Sequence, residues 1–276
     1  MKLITKSTFA LLVCLAALQS CKKAEEGYAG DYPDKAKVLF INAALNGSTN
    51  PAVATRPIGI YEYYNGVTYN LYPLRAPFGN GYKVVEPGTL NLRLDTAFSP
   101  TTNTITVNGV TKPFVGPAAT QKQFQLPVQA GSYYTFFATG LSTDIQPFFV
   151  KDEVTLPADR NKTRIVFYNL SPDAGPIDIW DERKQQIIAS NVTFKTERPY
   201  VDLDFAPNNI SMQLRVYQAG TTTPLTGAKT GMVLNPNSVY TVYITGFKTR
   251  PAGVGVVNEA LAIHYYASWF TYNTKP

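Results

Sequence analysis

His264 is the single histidine of the chain, so any chemistry that needs an imidazole must run through it. It lies in LAIHYYA, a strand-like segment in which successive side chains point to opposite faces. Alternation groups His264 with Ala262 and Tyr266 and sets Leu261, Ile263 and Tyr265 on the other face. Zinc sites draw on several His or Cys ligands, and both cysteines, Cys14 and Cys21, fall within the first 21 residues. His264 therefore reads as structural, and thiol nucleophiles, disulfides and metal clusters are excluded from the rest of the chain. No serine carries the glycine pattern of a nucleophile elbow. The acidic pairs Asp202/Asp204 and Asp178/Asp181 could supply the two carboxylates that a glycosidase holds about 5–10 Å apart. Asp202 and Asp204, two apart in a strand, share one face, and that face reads as solvated surface. No loop has the glycine-turned oxygen pattern of a calcium site. Arg93 and Arg215 stand in matching contexts, LRL and LRV, which suggests a repeated cross-strand ion pair. No catalytic residue, metal or cofactor is expected.

Aromatic residues are the remaining candidates. The chain holds 18 Tyr and 15 Phe, and flat rings can stack on sugar faces or fill a protein interface. Phe137 and Tyr243 fall on the threonine-bearing faces of two matching strands, which are expected to point outward. Tyr63 belongs to a crowd with Tyr61, Tyr64 and Tyr69, while Trp180 and Trp269 mark the later part of the chain. These five, Phe137, Tyr243, Trp180, Tyr63 and Trp269, are the candidate ligand-binding residues, against a background in which sheets favour aromatics for packing alone.

The amino terminus concerns the compartment. Lys2 and Lys6 precede an apolar run of 11 residues, Thr8 to Leu18, the pattern of a secretory signal. As a helix it would span about 16 Å, short of the roughly 30 Å hydrocarbon core. The run ends in Leu18-Gln19-Ser20-Cys21, which resembles the lipobox of bacterial lipoproteins, where a Cys after a small residue is lipidated and becomes residue one. That resemblance implies a signal peptide over 1–20, lipid on Cys21 and a polar tether over 21–36. The charged residues Lys22, Lys23, Glu25 and Glu26 resemble the surface-export signals of Bacteroidota lipoproteins. Loss of the leader lowers the formal charge from +6 to +4. No dense basic stripe remains to release counterions from a phosphate backbone, so nucleic acid is excluded as a partner.

The mature chain contains its own plan twice, and repeats outrank local patterns in reading a fold. Four pairs of segments match in the same order: VLFIN (38–42) with IVFYN (165–169), PIGIY (57–61) with PIDIW (176–180), LRL (92–94) with LRV (214–216), and YTFFATG (134–140) with YTVYITG (240–246). Asn108-Gly109 in TITVNGVTKPFV is a strong two-residue hairpin signal. In the last pair, Tyr134, Phe136 and Ala138, like Tyr240, Val242 and Ile244, form the expected core face. Recurrent Pro, Gly and Asn/Asp clusters and the absence of a helical stripe after the leader predict many short strands. The expected fold is all-β, two tandem antiparallel β-sandwich domains, immunoglobulin-like in a broad sense. The first is placed at 37–150 and the second at 163–276 with a C-terminal tail, joined by a polar linker at 151–162.

The second copy, with SPDA at 171–174, IDI at 177–179 and Tyr240-Thr241 later, resembles the bacterial domain of unknown function catalogued as family 4397. The similarity runs over most of Thr163 to Gly246. In the first copy, Asn42-Ala43-Ala44-Leu45 stands in place of the SPDA turn and Gly59 in place of Asp178. The resemblance implies an extracytoplasmic β-sandwich, often repeated and often in lipoproteins, with no assigned catalytic residues. The expected function is thus a non-catalytic binding or adhesion module, lipid-anchored at the outer membrane, that engages an extracellular glycan or an envelope protein. The alternatives are a structural spacer or assembly subunit of an envelope complex and, behind it, a glycan hydrolase.

Overall fold

The computed structural model describes residues 32–45, 59–64, 67–71, 81–97, 104–107, 110–113, 121–141, 144–204, 212–227, 229–249 and 260–270. Cys21 and the expected leader and tether up to residue 31 lie outside them. The described residues form strands and no helix, hence none long and apolar enough to cross a membrane. In chain order the first ten strands are β1 (Ala36–Asn42), β2 (Gly59–Tyr64), β3 (Val67–Leu71), β4 (Lys83–Val85), β5 (Gly88–Ala97), β6 (Thr104–Val107), β7 (Val110–Pro113), β8 (Gln121–Val128), β9 (Tyr133–Leu141) and β10 (Asp144–Asp152). Eight more follow: β11 (Lys162–Asn169), β12 (Ile177–Asp181), β13 (Gln186–Val192), β14 (Val201–Asp204), β15 (Met212–Gln218), β16 (Lys229–Met232), β17 (Ser238–Thr245) and β18 (Ala262–Phe270).

They assemble into four sheets of four strands: β10-β9-β1-β4, β3-β2-β5-β8, β14-β11-β17-β18 and β13-β12-β15-β16. Each is named below by a central strand: the β1, β5, β11 and β15 sheets. The β6–β7 pair forms a separate ribbon whose register begins at Val107↔Val110, on either side of Asn108-Gly109. The matched sequence segments occupy matched places. Val38 pairs with Tyr134 and Ile165 with Tyr240, each in a parallel pair running along the YT strand. Here the structure corrects the antiparallel expectation: β1–β9 and β11–β17 are parallel. A parallel pair needs a long crossover between its strands, and in both copies the chain leaves to build a second sheet before returning.

Alternation along these strands feeds two cores at once. Val38 and Phe40 join Leu90, Leu92, Leu94, Tyr134 and Phe136 in one cluster drawn from the β1 and β5 sheets. Ile165 and Phe167 join Ile177, Ile179, Leu214, Val216, Tyr240 and Val242 in a second, from the β11 and β15 sheets. The core face read from Tyr134, Phe136 and Ala138, and from Tyr240, Val242 and Ile244, is therefore present in both copies. The intervening residues fill a third cluster, in which Leu39, Ile41, Ala43 and Phe137 meet Val166, Tyr168, Leu170 and Tyr243. Consequently β1 and β17 are buried along their whole length, and a strand buried on both faces reads as a continuous apolar run rather than an alternating one. VLFI at 38–41 is such a run.

The glycine that ends each YT strand has a backbone reason. Gly140 and Gly246 adopt φ of 79° and 97°, a region that L side chains rarely enter. A methyl at Gly140 would lie 2.7 Å from the Asp144 carbonyl oxygen, and one at Gly246 would collide with the Ala260 carbonyl. The connection from β10 to β11 is tied down locally: Thr155 N–H donates to Glu153 Oε1 (2.7 Å) and Arg164 Nη1 to the Thr155 carbonyl (2.9 Å).

Candidate functional site

The structure separates the five aromatic candidates. Phe137 and Tyr243 do lie on the threonine-bearing faces, but both are 0% exposed, because each face is covered by the other copy. Their rings meet edge to face at 5.2 Å, and Phe137 also meets Tyr168 at 6.0 Å and Phe148 at 5.9 Å. Thr135, Thr139, Thr241 and Thr245 are buried as well. Threonine misleads at this point because its methyl packs while its hydroxyl bonds locally, as Thr139 does to the Gln146 carbonyl (2.8 Å). Phe137 and Tyr243 hold the two copies together and present nothing to a ligand.

Beside them lies a polar group that the sequence reading missed. Asp152 is buried, and its Oδ2 accepts from Thr135 Oγ1 (2.7 Å) and Tyr82 Oη (2.8 Å). Thr135 Oγ1 in turn shares a hydrogen bond with Tyr266 Oη (2.9 Å), across the two copies. Burial pushes the Asp152 carboxyl up to about 7, with the Thr135 and Tyr82 hydrogen bonds pulling the other way. A signal was present: Phe148, Val150 and Asp152 are spaced by two in one strand, so the carboxyl shares a face with two apolar side chains.

The family-like motif residues form clasps. Asn169 Nδ2 donates to the Gly175 and Val192 carbonyls (2.8 and 3.2 Å), and its Oδ1 accepts from Ser171 N–H (3.1 Å). Asp173 accepts from the N–H groups of Lys248 and Thr249 (2.8 and 2.7 Å), and Asp178 from those of Asn191 and Gly220 (both 2.8 Å). A carboxylate satisfying two backbone donors leaves both stranded when it is removed. Asp178→Ala should accordingly lower the unfolding free energy by about 1–3 kcal/mol and Asp178→Asn by less, in urea unfolding of the full chain. An unchanged midpoint for both would refute the clasp. Asp181 accepts from Arg183 N–H (3.1 Å), so the Asp178/Asp181 pair is committed to backbone. Asp202 makes a two-pronged pair with Arg164 (2.7 and 3.0 Å), and Asp204 pairs with Lys162 at 3.4 Å. His264 stacks on Tyr243 at 5.3 Å. Among the described residues no group of three or more His, Cys, Asp or Glu could hold a metal.

Trp180 stands apart. On β12, Ile177 and Ile179 point into the second cluster, so Asp178 and Trp180 fall on the opposite face of the β15 sheet, and Glu182 follows in the turn after the strand. Trp180 is half-buried and lies opposite Arg215 on one side and Ile187 on the other. Its ring is 5.2 Å from that of Tyr217. Tyr217 Oη donates to Glu182 Oε1 (2.6 Å), and Arg215 Nη1 lies 3.7 Å from Glu182 Oε2. The ion pair expected of Arg215 is thus made, to a neighbour that sequence reading did not single out. Trp180 Nε1 and Arg215 Nε are buried donors that meet no acceptor among the described residues. Ile187 is 44% exposed, so the row Ile187–Trp180–Arg215 with Tyr217 forms an aromatic and polar platform on the sheet. Tyr217 and Glu182 were legible in principle, since each is two residues from a candidate in the same strand direction, Arg215 and Trp180.

Tyr63 lies on β2 as the register partner of Arg93 and Thr68, and Trp269 on β18 opposite Val239. Arg93 sits between buried Leu92 and Leu94 and is itself half-buried. The structure therefore sets Tyr63 against Arg93 in the first copy and Trp180 against Arg215 in the second.

Comparison with known proteins adds little beyond the domain. No curated protein matches the chain. A solved structure of a Bacteroides thetaiotaomicron VPI-5482 protein (DUF1812), for which polysaccharide binding is proposed, is similar at 12% identity and a TM-score of 0.20, over 83% of this chain and 97% of that one. The family match falls on residues 62–180, most of the first copy and the opening of the second through the SPDA turn and PIDIW, and stops short of the second copy's later motifs. Both copies carry their motifs in the same order, so a span that opens just after PIGIY and closes with PIDIW contains each motif once. The chain is similar over residues 62–180, one repeat period that ends on the platform tryptophan, to the family described as Domain of unknown function (DUF4397).

Proposed function

We propose that the chain is a non-catalytic, extracytoplasmic lipoprotein, held at the outer membrane by lipid on Cys21, that binds glycan through the outer face of its β15 sheet. In this reading each pair of sheets closes on its shared cluster as a sandwich, immunoglobulin-like in the broad sense, and serves as a scaffold. The carrying observation is the half-buried Trp180 ring flanked by Tyr217, Arg215 and Glu182. A sugar offers a C–H face to a ring and hydroxyls to neighbouring donors and acceptors. Arg215 and Glu182 offset each other in charge, which suits a neutral, hydroxyl-rich partner better than a polyanion. The Bacteroides protein's proposed polysaccharide binding agrees in kind and lends this reading no weight at its TM-score of 0.20.

Affinity electrophoresis of the full chain in gels containing hydroxyethyl cellulose, xyloglucan or galactomannan tests the platform. These β-1,4-linked backbones present flat pyranose faces. Retardation should occur in at least one gel and fall at least about tenfold in Trp180→Ala, the loss of a stacked aromatic anchor, with the unfolding midpoint kept. Equal retardation of the variant, or none of the wild type in all three gels, would overturn the proposal. The second outcome would favour a structural spacer or assembly subunit, a role that the shared core between the copies also suits.

A further inference from the structure

We infer that the Trp180 platform selects glycans built of N-acetylated amino sugars, taking the acetamido carbonyl oxygen on Trp180 Nε1 and Arg215 Nε. This inference rests on the proposed glycan reading and names the sugar class that the same site prefers.

Three observations carry it. First, the polar groups of the platform are unevenly committed. Glu182 is engaged at both oxygens: Oε1 accepts from Tyr217 Oη (2.6 Å) and Oε2 lies 3.7 Å from Arg215 Nη1. Arg215 Nη1 also reaches Tyr217 Oη at 3.5 Å. Asp178, on the same face, accepts from the Asn191 and Gly220 N–H groups. Trp180 Nε1 and Arg215 Nε, by contrast, are buried donors that meet no acceptor among the described residues. A buried donor left unmet is costly, and in a native fold it calls for a reason. An acceptor brought by a ligand removes that cost.

Second, the two donors belong together. Trp180 and Arg215 are register partners on the adjacent antiparallel strands β12 and β15, and opposed residues of such a pair lie within side-chain reach of each other. Leu214 and Val216 point into the second cluster, which puts Arg215 on the outer face with Trp180. Both side chains are only half-buried, so a turn of either one admits an atom from solvent. A carbonyl oxygen has two lone pairs and no hydrogen, and can take both N–H groups at once. A sugar hydroxyl accepts as well, but it brings a hydrogen that needs its own acceptor, and the carboxylates of this face are already engaged.

Third, Trp180 has an apolar neighbour on its other side. Ile187 is its register partner on β13 and is 44% exposed. An acetamido group carries a methyl beside its carbonyl, and covering exposed hydrocarbon with a methyl is favourable. The two flanks of Trp180 thus match the two halves of that group, with the pyranose ring on the indole face. A carboxylate, the other strong acceptor of glycans, has no methyl for Ile187 and would meet Glu182 as a like charge.

Calorimetry of the full-length chain with chitohexaose and cellohexaose tests the selection. Both are flat β-1,4-linked hexamers, and they differ by an acetamido group in place of one hydroxyl on each ring. Chitohexaose should bind at least about tenfold more tightly, the worth of one or two hydrogen bonds. Trp180→Phe keeps an aromatic face and removes the indole N–H; Arg215→Lys keeps the charge and removes Nε. Each should lower the ratio of the two affinities to about threefold or less. Circular dichroism melts identify a variant that fails to fold, and the other then carries the test. Equal wild-type affinity for the two hexamers, or a preference that persists unchanged in the folded variants, would overturn the selection and leave the platform reading standing. Binding of neither hexamer would also overturn it. Retardation in any of the three gels, lost in Trp180→Ala, would in that case keep the platform reading alone, and no retardation would overturn both.

Discussion

Phe137→Ala is expected to lower the unfolding free energy by about 3–5 kcal/mol, the range for truncating a buried phenylalanine. The argument is local. Phe137 is 0% exposed and its ring touches those of Phe148, Tyr168 and Tyr243, two of which belong to the other copy. Truncation removes apolar burial and leaves a cavity that the rigid flanking strands cannot close. Were the threonine-bearing face solvated, the same change would cost within about 0.5 kcal/mol, so a urea titration separates the two pictures by a wide margin. Tyr243→Ala tests the contact from the opposite side. A double-mutant cycle between Phe137 and Tyr243 should return a coupling of about 0.5–1.5 kcal/mol, as expected for an edge-to-face aromatic pair. A small, additive effect of both would mean that the two copies do not share a core.

Much of the fold was legible because β-strands write their faces into the sequence with a period of two. Tyr134, Phe136 and Ala138 announced a core face, the matched motifs announced a duplication, and Asn108-Gly109 announced its hairpin. What was not legible is the destination of the opposite face. VLFI at 38–41 carries the continuous apolar run of a strand buried on both sides, yet Thr135 and Thr139 gave its neighbour a polar second face, and a hydroxyl satisfied by a strand carbonyl or by Asp152 looks the same in sequence as one in water. The parallel pairing of β1 with β9 was hidden for a related reason: register between distant strands depends on which sheet the chain builds in between, and single-strand patterns do not encode it. The platform was half visible. Trp180 stood out as a candidate and Arg215 as the counterpart of Arg93, but only strand register sets Trp180 opposite Arg215. The SPDA turn and the aspartate of IDI look like chemistry in sequence and prove to be backbone clasps, because each oxygen of Asp173 and of Asp178 accepts a backbone N–H.

Stability of the wild-type chain should fall as pH rises from about 4 to about 7, and Asp152→Asn should remove that fall. The Asp152 carboxyl is raised from 3.8 to about 7 in the folded state, with burial the leading cause. Between those values the native chain holds a proton that the unfolded chain has released. Unfolding therefore sheds a proton, and each unit of pH favours the unfolded state by about 1.4 kcal/mol until the native carboxyl also ionises near pH 7. Below pH 4 both states are protonated and the contribution is constant; above pH 7 both are ionised and the loss is complete. Among the described residues the groups that bond Asp152 are neutral: Tyr82 and Thr135 bond it, Tyr266 reaches it through Thr135, and the neighbouring Tyr200 hydroxyl accepts from Glu153 N–H (3.3 Å), while the buried Lys37, across Tyr133 in the same row, donates to the Tyr32 carbonyl (2.7 Å). Asp152 contributes in turn to holding the Tyr82, Tyr200 and Tyr266 hydroxyls above their ordinary range, after burial itself. Among the described residues no cation pairs with the carboxylate, and an unpaired buried carboxylate is costly. Asparagine keeps an acceptor for Tyr82 and Thr135 and cannot ionise, so the difference in unfolding free energy between Asp152→Asn and wild type should grow across that window and then level off. Parallel stability curves from pH 4 to 8 would show that the carboxyl between the two copies ionises as it does in water, and that the seam between them is wet.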